Sequence, residues 1–293
     1  MKPKQLFLIA WLFVALYIIF KIAMSAGFDI PGGVTSALLS FFFLGVLLCA
    51  NRYGKKDTLI FFVVAFVIGW LYETCSILTG FPFGHYHYSD VMGFKLGFVP
   101  VTVMLLYFAM GFMSWSLAHI LLGKYDNAIN RKELLVIPLL SSFIMVIWDV
   151  CMDPLNGTIG QWWVWHDGGP YFGVPLSNFF GWFLFAFTFY LIFAFYQYRK
   201  ATNPTPEVMT EKTAWLLPIV GYLSAAFAMP LSAIFGKNYL ITSPDGHVWW
   251  TSDICWSMTL ITIFTMFFVV VLALIRLNEH FVNQETQKES KGQ

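Results

Sequence analysis

Charge is the scarcest commodity in this chain. Lys, Arg, Asp and Glu make up 11% of its 293 residues and the net charge is +1, where a soluble domain carries about 25% charged residues. That shortage excludes an ordinary water-soluble domain. The largest basic clusters are pairs, Lys55-Lys56 and Arg131-Lys132, too small for a nucleic-acid footprint. Cysteine is also sparse. Cys49, Cys75, Cys151 and Cys255 have no CxxC or CxxH spacing, and each sits in or beside an apolar run, where a free thiol behaves as a small hydrophobe. Neither a GxSxG elbow, a P-loop nor a Rossmann fingerprint occurs, so the common nucleophile and nucleotide motifs are missing.

What the chain has instead is apolar length. Hydrophobic residues account for 58%, aromatics for 19%, and mean hydropathy is +0.69. Runs long enough to span a bilayer fall at about 6–24, 34–50, 58–78, 99–122, 134–153, 175–197, 213–235 and 254–275. A span needs about 20 residues, so the sequence predicts an all-α polytopic membrane helix bundle of about eight transmembrane helices. The first run is longer than a signal-peptide core and is interrupted by Lys21, which reads as a retained helix. With the N-terminus placed inside, fourteen of the 17 Lys and Arg fall in inner segments, and Lys21, Lys95 and Lys237 fall outside. The positive-inside rule therefore predicts an N-in/C-in, multi-pass protein of the cell membrane. Residues 1–277 form one transmembrane domain, followed by a polar, disordered cytoplasmic tail at 278–293.

The outer loops carry the unusual residues. Loops 79–98, 154–174 and 236–253 are rich in Gly, Pro, Trp, Tyr and His, whereas the inner loops are plain and polar. An internal match links them. Tyr72-Glu73-Thr74-Cys75 ends the third run as Trp148-Asp149-Val150-Cys151 ends the fifth, and Gly97-Phe98-Val99-Pro100 opens the fourth as Gly173-Val174-Pro175 opens the sixth. Both units run in, out and in again, which predicts a parallel repeat about an axis along the membrane normal.

Ionisable groups at membrane depth cost roughly 2.5–3.5 kcal/mol each even on lenient scales, and so require a reason. Glu73 and Asp149 each lie about 22 Å along helices rising from the inner face, in the outer third of the membrane. Asp149 and Asp153 are four apart and share a helix face, as do Asn178 and Trp182. Paired carboxyls withdrawn from water can share one proton, placing an acid beside a base. Ring faces of nearby Trp and Tyr can stabilise a cation formed between them. The competing structural reading is that these acids only hydrogen-bond between helices and that the Trp-rich loops are interfacial belts. The occurrence of both acids at matched depth beside aromatic loops favours function. His85-Tyr86-His87 leaves a single-metal site with one carboxylate open, but six scattered histidines cannot fill a di-iron hydroxylase site of about eight.

The pieces GFPFGHYHYSD, WDVCMDP and GGPYFGVPLSNFFGW, within a stretch of about 60–275, resemble the integral-membrane carotenoid biosynthesis proteins that act as carotenoid 1,2-hydratases and bisanhydrobacterioruberin hydratases. The resemblance implies addition of water across the terminal C=C of an acyclic carotenoid end group to give a tertiary alcohol, with no cofactor and no metal. The implied partners are a hydrophobic carotenoid from the bilayer, water, and other enzymes of the carotenoid pathway. The family supplies no residue roles here, so these come from the physical reading. Asp149 is assigned as acid and Glu73 as base, in an order the sequence leaves reversible. Tyr86, Tyr88, Trp163, Tyr171 and Trp182 are expected to line the substrate, and Asp153, His85 and Asn178 to bind water or orient the acids. Two other readings remain at this stage: a carotenoid- or lipid-binding or transport protein that performs no chemistry, and a metal-dependent membrane enzyme.

Overall fold

A computed structural model describes residues 3–26, 28, 30–200 and 205–291. The architecture is an all-α membrane bundle. Its helices are α1 (Pro3–Ser25), α2 (Gly33–Thr79), α3 (Val101–Leu121), α4 (Glu133–Asp153), α5 (Leu176–Arg199), α6 (Lys212–Ala226), α7 (Ala228–Phe235), α8 (Thr251–Phe264) and α9 (Met266–Lys291). With no water in the hydrocarbon, each span must satisfy its backbone internally, which is why the apolar runs become helices. Among the described residues, seven helical stretches are long and apolar enough to cross a membrane, α6–α7 and α8–α9 each counting as one.

The expected count of eight is recovered inside α2. At about 1.5 Å per residue, a straight helix would separate Phe42 from Phe62 by about 30 Å, yet their ring centroids are 5.9 Å apart. The chain therefore folds back on itself at Gly54, whose φ of 78° and ψ of 168° break the helix. A positive φ is open to glycine at little cost. The inner loop expected at 51–57 is thus a single glycine joint.

The tail from 278 differs from expectation. It continues α9 as helix through Lys291, because Glu, Lys and Gln are strong helix formers and His280 stacks on Tyr125 at 3.6 Å between centroids. Residues 292 and 293 lie outside the described residues.

The two matched units pack as related halves. Tyr107 and Trp182, equivalent positions 75 apart, meet edge to face at 4.9 Å. So do Trp115 and Tyr190, stacked at 5.7 Å with the same offset. Strands β2 (Lys95–Leu96) and β3 (Val99–Pro100) pair with each other ahead of α3. Strand β1 (Tyr86–Tyr88) of the first unit pairs antiparallel with its equivalent in the second, β4 (Trp163–Trp165), in the register Tyr86↔Trp165, His87↔Val164, Tyr88↔Trp163. These strands were not foreseen: three residues in a loop are too short to give a periodic signal. At the opposite end of the bundle the halves exchange ion pairs. Lys124 Nζ, closing the first unit, lies 3.0 Å from Glu133 of the second, and Lys200 Nζ, closing the second, lies 2.6 Å from Asp57 of the first. Reciprocal contacts of this kind are what a two-fold relation generates.

The two clasps differ in burial: the Asp57 side chain is 1% exposed and that of Glu133 is 24%. Asp57 also accepts bonds from the Tyr196 hydroxyl (3.0 Å) and the Gln197 amide (3.2 Å). Lys200→Ala is expected to cost about 2 kcal/mol, because it strands a buried carboxylate. Lys124→Ala is expected to cost at most about 1 kcal/mol. Thermal unfolding of the two variants in detergent checks the order, and equal losses would contradict it.

Candidate active site

Glu73 sits near the outer end of α2, 2% exposed. Three phenols converge on its carboxylate. Tyr86 and Tyr107 donate to Oε2 and Oε1, and Tyr88 donates to Oε2 at 3.0 Å. Two of these tyrosines arrive on β1, whose alternation turns residues 86 and 88 to the same face; the third comes from the second turn of α3. Burial, then the adjacent Glu73 charge, holds the Tyr88 phenol well above its ordinary value. It therefore remains a donor.

Asp149 and Asp153 occupy successive turns of α4, each 1% exposed. Asn178, in the first turn of α5, reaches both: its Nδ2 donates to Asp149 Oδ2 at 3.0 Å and to Asp153 Oδ2 at 2.6 Å. The start of α5 is set by Pro175, whose fixed φ and missing N–H suit a helix entry. Trp163 Nε1 donates to Asp153 Oδ1 at 2.6 Å. That approach needs Gly157, where a Cβ would lie 2.8 Å from Trp163 Nε1 and 2.9 Å from Asp153 Oδ1. Gly157 belongs to a π-helical turn, Pro154–Ile159, that extends α4, a distortion often found at functional sites.

Both acid groups open on one cavity. Its walls are mostly aromatic, with Tyr86, Tyr107, Trp148, Trp165 and Trp182 around the acids and Met92 and Met152 beside them. The rings brace one another: Tyr86 lies 4.8 Å from Trp165, and Trp148 lies 5.9 Å from Trp182. One buried carboxyl oxygen of the cavity wall, Asp149 Oδ1, has no hydrogen-bond partner. An unpaired buried polar group is costly, so this atom is positioned to meet a ligand or water.

The structure brings most of the sequence-predicted residues together. Glu73, Asp149, Asp153, Tyr86, Tyr88, Trp163 and Trp182 all line the cavity, and Asn178 stands behind the two aspartates. Two are placed elsewhere. His85 is exposed and lies on the face opposite Tyr86, its carbonyl accepting the His166 N–H at 2.9 Å. Tyr171 does not line the cavity; its hydroxyl donates to the Val150 carbonyl at 3.1 Å and so ties the loop to α4. His87 is likewise turned outward, 2.8 Å from His166 Nε2. Among the described residues no three His, Cys, Asp or Glu side chains cluster as metal ligands.

Tyr107 and Trp165 were missed. A Tyr within an apolar helix reads as packing, and a loop Trp reads as an interfacial anchor. The repeat held the missing signal, since Tyr107 is the equivalent of Trp182 and Trp165 pairs with Tyr86 across the strands.

Known proteins share parts of this sequence. A 125-residue stretch, 42% of the chain, is 30% identical to bisanhydrobacterioruberin hydratase of Haloarcula japonica and spans 40% of that protein's length. No solved structure matches. The family described as carotenoid biosynthesis protein matches residues 32–242, a range that holds every residue of the cavity wall, and the chain belongs to that family.

Proposed function

We propose that the protein is a cofactor-independent carotenoid hydratase of the cell membrane, adding water across the terminal C=C of an acyclic carotenoid end group to give a tertiary alcohol. One observation carries the reading. A buried carboxyl oxygen, Asp149 Oδ1, stands unpartnered in an aromatic cavity across from a carboxylate, Glu73, that is tied down by three phenols.

The chemistry follows from that asymmetry. A carboxylate whose lone pairs accept from three O–H donors is stabilised in its charged form, so Glu73 serves as the fixed negative charge and base. Asp149, sharing the Asn178 amide with Asp153, carries the mobile proton on its free oxygen. That proton passes to the less substituted carbon of the terminal double bond, leaving a tertiary cation on the other. The faces of Trp182, Trp148 and Tyr107 and the Glu73 charge stabilise the cation. Water adds to it, gives up a proton to the carboxylates, and the acid is restored. Protons and electrons balance with alkene and water as the only reactants. The relative named above is a hydratase, which supports the same class.

Expression in a host that makes an acyclic carotenoid such as lycopene should yield products heavier by one water per modified end. Asp149→Asn and Glu73→Gln should each lower hydration by about 10²–10⁴-fold, the range for loss of a general acid or base, with protein level unchanged. A carotenoid recovered unaltered from the wild-type host would instead favour binding or transport. Tyr107→Phe removes one donor from Glu73 and should cost about tenfold in kcat while leaving KM nearly unchanged; initial rates in membranes check this.

A further inference from the structure

The catalytic cavity does not end at its aromatic wall. Asn156 and Trp162 line both this cavity and a second compartment. The second compartment lies under α1 at the break between α6 and α7, and Lys21, Ser25, Ala228 and Ser232 face into it. Ser25 and Ser232 in turn line a third space, which reaches Lys237 and Tyr239. Both of those residues are exposed, in the loop between α7 and α8. That loop packs on the loop carrying β4, with Phe172 and Trp249 in ring contact at 5.1 Å. The three spaces therefore adjoin in series, from the site to the end of the bundle that carries the outer loops.

The series changes character along its length. Rings and thioethers of the first space continue into the second, where the Lys21 amine and the Ser25 and Ser232 hydroxyls join them. Those added polar groups offer partners to water that a polyene could not use. We infer that this path is the water inlet of the site, and the inference rests on the hydratase reading above. A tertiary cation in an aromatic cavity needs one water at the right moment and exclusion of bulk solvent otherwise. A side inlet entering at Asn156, one turn beyond Asp153, supplies that water through intervening compartments and not by direct contact of the cavity with bulk solvent. Lys21, its Nζ 5.9 Å from the Tyr17 ring centroid, places a hydrogen-bonding amine on the wall. Helix α1, which carries Lys21 and Ser25, lies outside the residues matched to the family.

Two bulky substitutions test the assignment, Ser25→Leu and Ala228→Phe, with Ile234→Phe on the exposed face of α7 as a control of equal bulk. Each blocking variant should lower kcat for carotenoid hydration by about tenfold or more with KM within about twofold, because water delivery and not substrate binding is impaired. The control should match wild type. A raised KM with kcat intact would assign the path to the polyene and overturn the proposal, as would unchanged kinetics in both blocking variants. A second measurement is independent of catalysis and of the fate of those variants. Ser25→Cys, with Cys75 and Cys255 replaced by Ser, should react with a small membrane-impermeant thiol reagent added in water, and protection of that thiol would overturn the inlet. Wild-type protein that makes no hydrated product would refute the hydratase reading. Wild-type hydration with Ser25→Cys protected would refute the inlet alone.

Discussion

The structure turns on the problem of keeping three carboxyls at membrane depth. Each is costly in hydrocarbon, and each is surrounded by donors drawn from elements far apart in sequence. Glu73 of α2 takes phenols from β1 and α3, while Asp149 and Asp153 of α4 take the Asn178 amide from α5 and the Trp163 indole from β4. Satisfying the acids therefore fixes how the two helical units close on one another. The price is a set of polar atoms whose only remaining unmet oxygen, on Asp149, faces the cavity. In the function proposed here, the geometry that solves the burial problem also aims an acid at a hydrophobic guest.

The two-fold relation explains why so small a set of residues suffices. Equivalent helices bring an acid each to the axis, equivalent strands pair above them, and equivalent lysines cross over below. The halves have then diverged in what surrounds the acid: phenols on one side, amide and indole on the other. A symmetric frame with asymmetric partners gives two carboxyls with different surroundings, and the proposed acid–base roles use that difference.

Much of this was legible in the sequence, for reasons that are physical. Long apolar runs have few alternatives to spanning helices, so the helices and even their count were readable; only the Gly54 joint hid the second and third spans within one helix. Glu73 and Asp149 stood out because charge in an apolar run is expensive, and the repeat tied them together. Tyr107 did not stand out, since a phenol is cheap in a helix until its acceptor is known. His85 and Tyr171 were misplaced because a loop sequence does not say which way its residues face. Only the pairing of β1 with β4 decides that Tyr86 and Tyr88 turn inward and the histidines outward.

The central claim is that a carboxyl proton goes to carbon and a water oxygen follows. Hydration run in deuterated, oxygen-18 water tests both halves at once. The account predicts a tertiary alcohol carrying oxygen-18, with one deuterium on the adjacent carbon for each modified end. An alcohol whose oxygen does not come from water, or whose adjacent carbon carries no deuterium, would contradict it.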